Sequence, residues 1–140
     1  VEWRWAPGTE PGNTGTLMRI NGEPSPVPRC IEAQMKSGNE GDVYGFHGLV
    51  IEGPPERTTA SENDLVGKYI GVKRMEDAWN PPGEWNRYDI RAEGGDITVK
   101  LNGKLVNQVS NAEVVAGPVG VQSEGGTAQF RTIRITPLVQ

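Results

Sequence analysis

The residues best suited to chemistry lie in a segment that alternates polar and apolar side chains. In residues 30–36, Cys-Ile-Glu-Ala-Gln-Met-Lys, the glutamate and the glutamine stand two positions apart. Alternation with a period of two predicts a β-strand that places Glu32 and Gln34 on one face and its apolar residues on the other. Carboxylates and amides are groups that sugar sites use, so this polar face is the first candidate for a site.

Arg19 is the residue expected to join that face from a neighbouring strand. In residues 16–20, Thr-Leu-Met-Arg-Ile, alternation places Arg19 with Leu17 and opposite to Met18. Two interpretations stay open. The three polar residues form a binding surface, or they form a solvated sheet face whose Arg–Glu pair contributes little to stability.

The chain has a single histidine, His47, and a single cysteine, Cys30. They cannot build a zinc site of Cys and His ligands, and no phosphate-binding loop or Gly-x-Ser-x-Gly elbow occurs. His47 is flanked by glycines in Gly-Phe-His-Gly, and both a structural and a catalytic role are open. The oxygen-rich turn at residues 39–42 matches no EF-hand spacing, so no metal ligands are predicted.

Aromatic residues add a second kind of contact surface. Trp85 and Tyr88 fall on opposite faces of one strand, so at least one of them is predicted to lie in the core. Trp79 precedes two prolines in a loop. A loop tryptophan can stack on a sugar ring or cover the core, and both interpretations are kept.

The elements that must position these residues are strands, because no dozen residues repeat apolar positions at helical spacing without a glycine or proline. Gly94-Gly95 and Asn102-Gly103 predict hairpin turns that join three strands into a meander. The fold class is therefore all-β, a two-sheet antiparallel sandwich in one domain over residues 1–140. The predicted strands are residues 1–5, 14–20, 29–36, 42–51, 68–74, 84–93, 96–101, 104–110, 119–122 and 127–136, with surface loops at residues 21–28 and 53–63.

Composition excludes several classes of partner. The net charge of −4 and the pI of about 5.0 oppose binding to nucleic acid. No stretch approaches the roughly 20 apolar residues that cross a bilayer, so no membrane span is predicted. With one cysteine the chain cannot form an internal disulfide.

Short motifs follow one another along nearly the whole chain. They are Asn-Thr-Gly at 13–15, Arg19, Glu-Ala-Gln at 32–34, Gly-Glu-Trp-Asn at 83–86, Leu-Asn-Gly at 101–103, Gly-Pro-Val-Gly-Val-Gln-Ser-Glu-Gly at 117–125 and Phe-Arg-Thr-Ile-Arg-Ile at 130–135. Their order resembles the 3-keto-disaccharide hydrolase domain family, DUF1080. The resemblance implies a concanavalin-like jelly roll, commonly exported from bacteria to the periplasm or beyond, and activity on sugars whose C3 hydroxyl has been oxidised to a ketone.

On this resemblance either Glu32 or His47 is the base that removes the proton next to the ketone. Arg19 and Gln34 are expected to hold the ketone or neighbouring hydroxyls. No cofactor is required by the sequence, and a divalent ion that assists at the enolate is an open alternative. The other predicted substrate-binding residues are Lys73, Trp79 and Gln122.

Two alternatives to an enzyme remain. A module on the same fold could bind a glycan without breaking it, because jelly rolls host lectins as well as enzymes. The family's first strands have no counterpart before Val1, and the chain starts inside a predicted strand, so an N-terminal portion with a signal peptide is expected to be missing. An incomplete sandwich would expose an edge through which another chain could pair, as in an assembly component or an oligomer.

Overall fold

A computed structural model describes residues 1–139 and confirms the all-β prediction. Eleven strands and one 3-10 turn, Pro55–Arg57, follow one another along the described chain. The strands are β1 Glu2–Trp5, β2 Gly15–Asn21, β3 Arg29–Gln34, β4 Val43–Gly45, β5 Thr58–Asn63, β6 Gly67–Val72, β7 Asn86–Glu93, β8 Asp96–Leu101, β9 Lys104–Val109, β10 Gly120–Val121 and β11 Ala128–Thr132. Within residues 1–139 no helix is long and apolar enough to cross a membrane.

Two antiparallel sheets pack face to face as a sandwich, in keeping with a jelly roll. The five-stranded sheet has the order β11-β1-β7-β8-β9, and the six-stranded sheet has the order β10-β2-β3-β4-β6-β5. Alternate residues of both sheets face inward and form the main core, because burial of apolar side chains is the chief driving force for this packing. Fully buried members include Trp3, Ile31, Tyr88, Ile97 and Leu101.

The register of the six-stranded sheet places Glu32 at the middle of a row of residues. Glu32 lies opposite Leu17 of β2 on one side and Tyr44 of β4 on the other, and Tyr44 lies opposite Gly71 of β6. Residues that pair across antiparallel strands point to the same face. Since Ile31 and Ala33 of β3 face the main core, this row lies on the outer face of the sheet.

The outer face of this sheet is not bare. A second apolar cluster lies there, and two surface segments cover it: the loop at 22–28 contributes Val27 and the β5–β6 turn contributes Val66. Both residues are buried. The remaining buried members are Leu17, Cys30 and Phe46.

Three predicted segments differ from the structure: one loop contains a strand, and two predicted strands are shorter. Residues 58–63 form β5, which lies at the sheet edge and pairs with β6 through its backbone, so its exposed polar side chains gave no alternating pattern. The predicted strand at 42–51 is a strand only at Val43–Gly45. The predicted strand at 127–136 ends at Thr132: Phe130 packs on the core, while Ile133 and Ile135 lie exposed beyond the strand.

Candidate functional site

Glu32 is the central side chain of the outer face. It is 2% exposed, and its Oε1 atom makes no hydrogen bond within residues 1–139. Its carboxyl group lies over Gly15, where a β-carbon would clash with Oε1 and would stand 2.9 Å from Cδ and Cγ. The chain therefore uses a glycine to make room for a buried carboxyl group that it does not pair.

The surroundings of Glu32 favour the protonated acid. Burial, and secondarily the negative charge of Glu124, raise its pKa from 4.5 to about 8. A carboxyl group with this pKa exchanges its proton close to neutral pH, and its ionised form is a far stronger base than an ordinary glutamate.

Two further oxygens without a partner lie around Gly15. Gln122 donates its backbone N–H to the carbonyl of Gly15 over 3.0 Å, and Asn13 precedes Gly15 by two residues, so both side chains share the face of Glu32. The side-chain oxygens of Gln122 and Asn13 are buried and accept no hydrogen bond within residues 1–139. Gln122 was predicted as a site residue. Asn13 was missed, although its position two residues before Gly15, the first residue of β2, could have indicated it.

Gln34 stands beside Glu32 as predicted, two residues along β3 on the same face. Its Oε1 accepts hydrogen bonds from the backbone N–H groups of Met35 at 3.0 Å and Lys36 at 2.9 Å. Those bonds fix the orientation of the amide. Its Nε2 group has no partner within residues 1–139 and is therefore a donor that a ligand could use.

Arg19 is not placed beside Glu32, contrary to the predicted alternation. The register of β2 shifts between Met18 and Asn21, and Arg19 takes a positive φ of 54° at this irregularity. Its guanidinium donates to the carbonyls of Glu113 at 2.8 Å and Gly94 at 2.5 Å. Gly94 belongs to the β7–β8 turn, so Arg19 links the two sheets. An irregularity of this kind reverses side-chain alternation, and the sequence carried no signal for it.

His47 lies in the turn after β4, the strand next to β3, with a positive φ of 53°. Its Nε2 is 2.7 Å from the carbonyl oxygen of Val27, and because a carbonyl only accepts, Nε2 must carry the proton. His47 follows Phe46, whose N–H donates to Cys30. The residue that pairs with Glu32 across the strands is Tyr44, and His47 follows Tyr44 by three residues, beyond the end of β4. The ring of His47 thus holds the loop at 22–28, which covers the second apolar cluster, by a hydrogen bond.

The last two predicted substrate residues lie apart from Glu32. Lys73 is exposed, and alternation from the buried Val72 puts it on the outer face, two strands from Glu32. Trp79 packs against the main core, with the guanidinium of Arg74 5.1 Å from its ring centre. Trp79 thus covers the core, while Trp85 lies outside it between Arg4 and Arg131.

The acidic turn at residues 39–42 is engaged by protein donors. Glu40 accepts the N–H of Gly38 at 2.8 Å, and Asp42 accepts the backbone N–H of Arg74 at 2.9 Å and its guanidinium at 3.1 Å. Within residues 1–139, no group of three or more His, Cys, Asp or Glu side chains converges on one point. The turn is a structural element, and a role for a divalent ion at Glu32 stays a prediction.

Comparison with known families agrees with the resemblance noted in the motifs. A protein-family model described as a 3-keto-alpha-glucoside-1,2-lyase-like domain matches residues 1–136. The chain belongs to this family. Neither a curated protein nor a solved structure gives a significant match.

Membership of the 3-keto-alpha-glucoside-1,2-lyase-like family supports a carbohydrate-active role. It also gives the outer face a chemical context. A buried carboxyl group with amide groups around it is the kind of arrangement that holds a hydroxylated ring and exchanges a proton with it.

Proposed function

We propose that this protein removes the C1 substituent from glycosides that carry a ketone at C3, with Glu32 as the base. The observation that carries the proposal is the Glu32 carboxyl group itself, which is buried, unpaired and set against a glycine on the outer sheet face. A purely structural carboxylate at this depth would be expected to have an ion-pair partner or a hydrogen bond at each oxygen.

The reaction needs no change of oxidation state. The C3 ketone acidifies the hydrogen on C2, Glu32 takes that proton, and the electrons of the C–H bond form an enolate. The enolate collapses to a C1=C2 double bond as the C1–O bond breaks, and the leaving oxygen takes up a proton. Addition of water across the double bond, with hydroxyl to C1 and hydrogen to C2, would complete a net hydrolysis.

The amides around Glu32 are suited to hold the substrate. The free Nε2 of Gln34 can donate to the ketone oxygen, where negative charge develops in the enolate. The oxygens of Gln122 and Asn13 can accept from ring hydroxyls, which would supply their missing partners. Since Glu32 is almost fully covered, the side chains around it must shift to admit a sugar.

Two observations favour Glu32 over His47 as the base. The Nε2 proton of His47 is committed to Val27, and His47 fastens a loop that covers apolar side chains. The Glu32 carboxyl group, in contrast, has an oxygen with no bond to lose when substrate binds. General-base catalysis by a positioned side chain is worth about 10²- to 10⁴-fold in rate, which sets the expected loss on mutation.

The test is release of 4-nitrophenol from its 3-keto-glucoside by the wild type, Glu32→Gln and His47→Gln. The proposal expects turnover by the wild type and a loss of about 10²-fold or more in Glu32→Gln. Glu93→Gln, an exposed residue of the other sheet, serves as a control for handling and should match the wild type.

Each other outcome has a definite meaning. No release by the wild type, with or without added divalent metal, removes the lyase proposal for this substrate. Binding of intact glycosides without any release would then indicate a carbohydrate-binding module. Full activity of Glu32→Gln together with an inactive His47→Gln would assign the base to His47.

A further inference from the structure

Three aromatic rings lie together on the outer face beside Glu32, where the partly exposed Tyr44 and Tyr69 pack against the second apolar cluster and its buried Phe46. Tyr44 and Phe46 of the β4 region are nearly parallel, with ring centres 5.6 Å apart and an angle of 16° between planes. Tyr69 of β6 stands 6.2 Å from Tyr44 at 56°. Phe46 is buried, whereas Tyr44 and Tyr69 are partly exposed. We call these three residues the aromatic surface.

The ring of Tyr44 lies against the sheet because β6 has a glycine beneath it. A β-carbon at Gly71 would stand 2.7 Å from Cε1 and 3.0 Å from Cδ1 of Tyr44. Since Gly71 is not at a positive φ, its backbone does not require a glycine, and the close approach of the ring is the constraint that excludes a side chain. This arrangement covers one face of the ring, while the residue as a whole stays partly exposed.

Glu32 stands on the boundary between this surface and a polar one. Tyr44 is its direct cross-strand neighbour on β4, at the roughly 5 Å that separates such pairs. On the other side of Glu32 lie two oxygens without a partner in residues 1–139, that of Gln122 beyond β2 and that of Asn13 just before β2. A hydroxylated ring can form hydrogen bonds with the amides, whereas a flat apolar group can stack on the aromatic surface.

We infer that the aromatic surface receives the C1 substituent of the substrate and selects glycosides with a planar apolar leaving group. This inference rests on the proposed lyase function, because a proton taken from C2 by Glu32 puts the bond that breaks one carbon away. The sugar ring then lies toward the amides. The leaving group, on the next carbon, lies over Tyr44.

The inference is tested by comparing substrate preference between the wild type and three variants, Tyr44→Ala, Tyr44→Phe and Gly71→Ala. The kcat/KM for phenyl over methyl 3-keto-glucoside is measured in each protein, so intrinsic leaving-group reactivity cancels between variants. Tyr44→Ala should lower the ratio about 3- to 10-fold, the range of one aromatic contact. Tyr44→Phe should keep it, and Gly71→Ala, which displaces the ring, should lower it.

A binding measurement separates this inference from the lyase proposal. Calorimetry with Glu32→Gln compares phenyl glucoside and methyl glucoside that carry no ketone, and needs no turnover. The inference expects Glu32→Gln to bind phenyl glucoside more tightly than methyl glucoside. It expects this preference to disappear in the double variant Glu32→Gln, Tyr44→Ala. That result supports binding of the leaving group at the aromatic surface even if no keto-glycoside is cleaved. Equal binding of both glucosides, or a kcat/KM ratio unchanged in Tyr44→Ala with its circular dichroism intact, overturns it.

Discussion

The outer faces of the two sheets treat charge in opposite ways. On the five-stranded sheet three pairs of opposite charge lie at the surface: Arg87 with Asp89 and Arg91 with Glu93, which are exposed, and Arg131 with the partly exposed Glu2. On the six-stranded sheet the central charged residue, Glu32, is buried, and its Oε1 has no hydrogen-bond partner among residues 1–139. One sheet thus has its charged groups in contact with solvent, whereas the other buries a carboxyl group at a cost in free energy.

This difference between the two sheets indicates that the face around Glu32 lowers the stability of the fold. Exposed pairs cost little to form and contribute little. A buried carboxyl group without a partner is a persistent cost, and such costs concentrate at functional sites. We therefore expect that removal of the Glu32 carboxyl group raises stability and lowers activity, whereas mutations on the five-stranded face change neither by much.

The largest effect is expected for Glu32→Gln. The folded-state pKa of about 8 lies above the 4.5 of an unfolded glutamate, so the folded protein loses stability as pH rises from 4.5 to 8. Glutamine does not titrate. The gain in free energy of unfolding on substitution should therefore be about 2–4 kcal/mol larger at pH 9 than at pH 5, while activity is lost.

Urea unfolding of both proteins at the two pH values measures this difference. Glu40, whose pKa burial raises to about 7, also titrates in this range, but it does so equally in both proteins and cancels. Glu93→Gln is the matched control and should show no pH-dependent difference. A Glu32→Gln effect that is equal at pH 5 and pH 9 would mean that Glu32 is ionised throughout.

The second effect concerns the glycine under Glu32. Gly15→Ala puts a methyl group where Oε1 lies, so the carboxyl group must move, and overpacking of this kind costs about 1–3 kcal/mol. Gly120→Ala is a close control on the adjoining strand, since its β-carbon would meet only the flexible end of Ile20 at 3.3 Å. Turnover of the 3-keto-glucoside should fall in Gly15→Ala and persist in Gly120→Ala. Equal losses of turnover in both variants would mean that the space at Gly15 is not specifically required for the position of Glu32.

Much of this contrast was predictable from local pattern. The alternation at residues 30–36 placed Glu32 and Gln34 together on the outer face, and Asn102 and Gly103 both take the positive φ expected of the hairpin turn. The burial of Glu32 was not predictable, because neighbours distant in sequence, such as Gln122 and Tyr44, surround it. Arg19 was misplaced for a similar reason, since a register shift leaves no trace in residue types.

A third prediction concerns the influence of Glu124 on Glu32. If Glu32 is the base, kcat/KM should rise with pH and level off above about 8. The charge of Glu124 is the secondary cause of the raised pKa, after burial. Glu124→Gln should therefore move the profile to lower pH, yet leave its midpoint above that of an ordinary glutamate.

Glu113→Gln removes an equal charge from an ion pair with Arg29 and provides the control. The profile of Glu113→Gln should coincide with that of the wild type, because burial and Glu124 are the causes of the raised pKa of Glu32 and Glu113 is not among them. A profile that shifts in Glu113→Gln as much as in Glu124→Gln would indicate a general effect of net charge instead of a contact with Glu32.

The smallest effect belongs to the paired face. Arg91 and Glu93 are 2.7 Å apart and about 60% exposed, so Arg91→Gln should change the free energy of unfolding by no more than about 0.5 kcal/mol. Thermal unfolding in 0.05 M and 1 M NaCl measures the change and its salt dependence. Since salt screens such a pair, any difference should shrink at 1 M. A loss above 1 kcal/mol that persists in high salt would mean that this face is organised as tightly as the one around Glu32, and the contrast between the two sheets would then fail to mark the site.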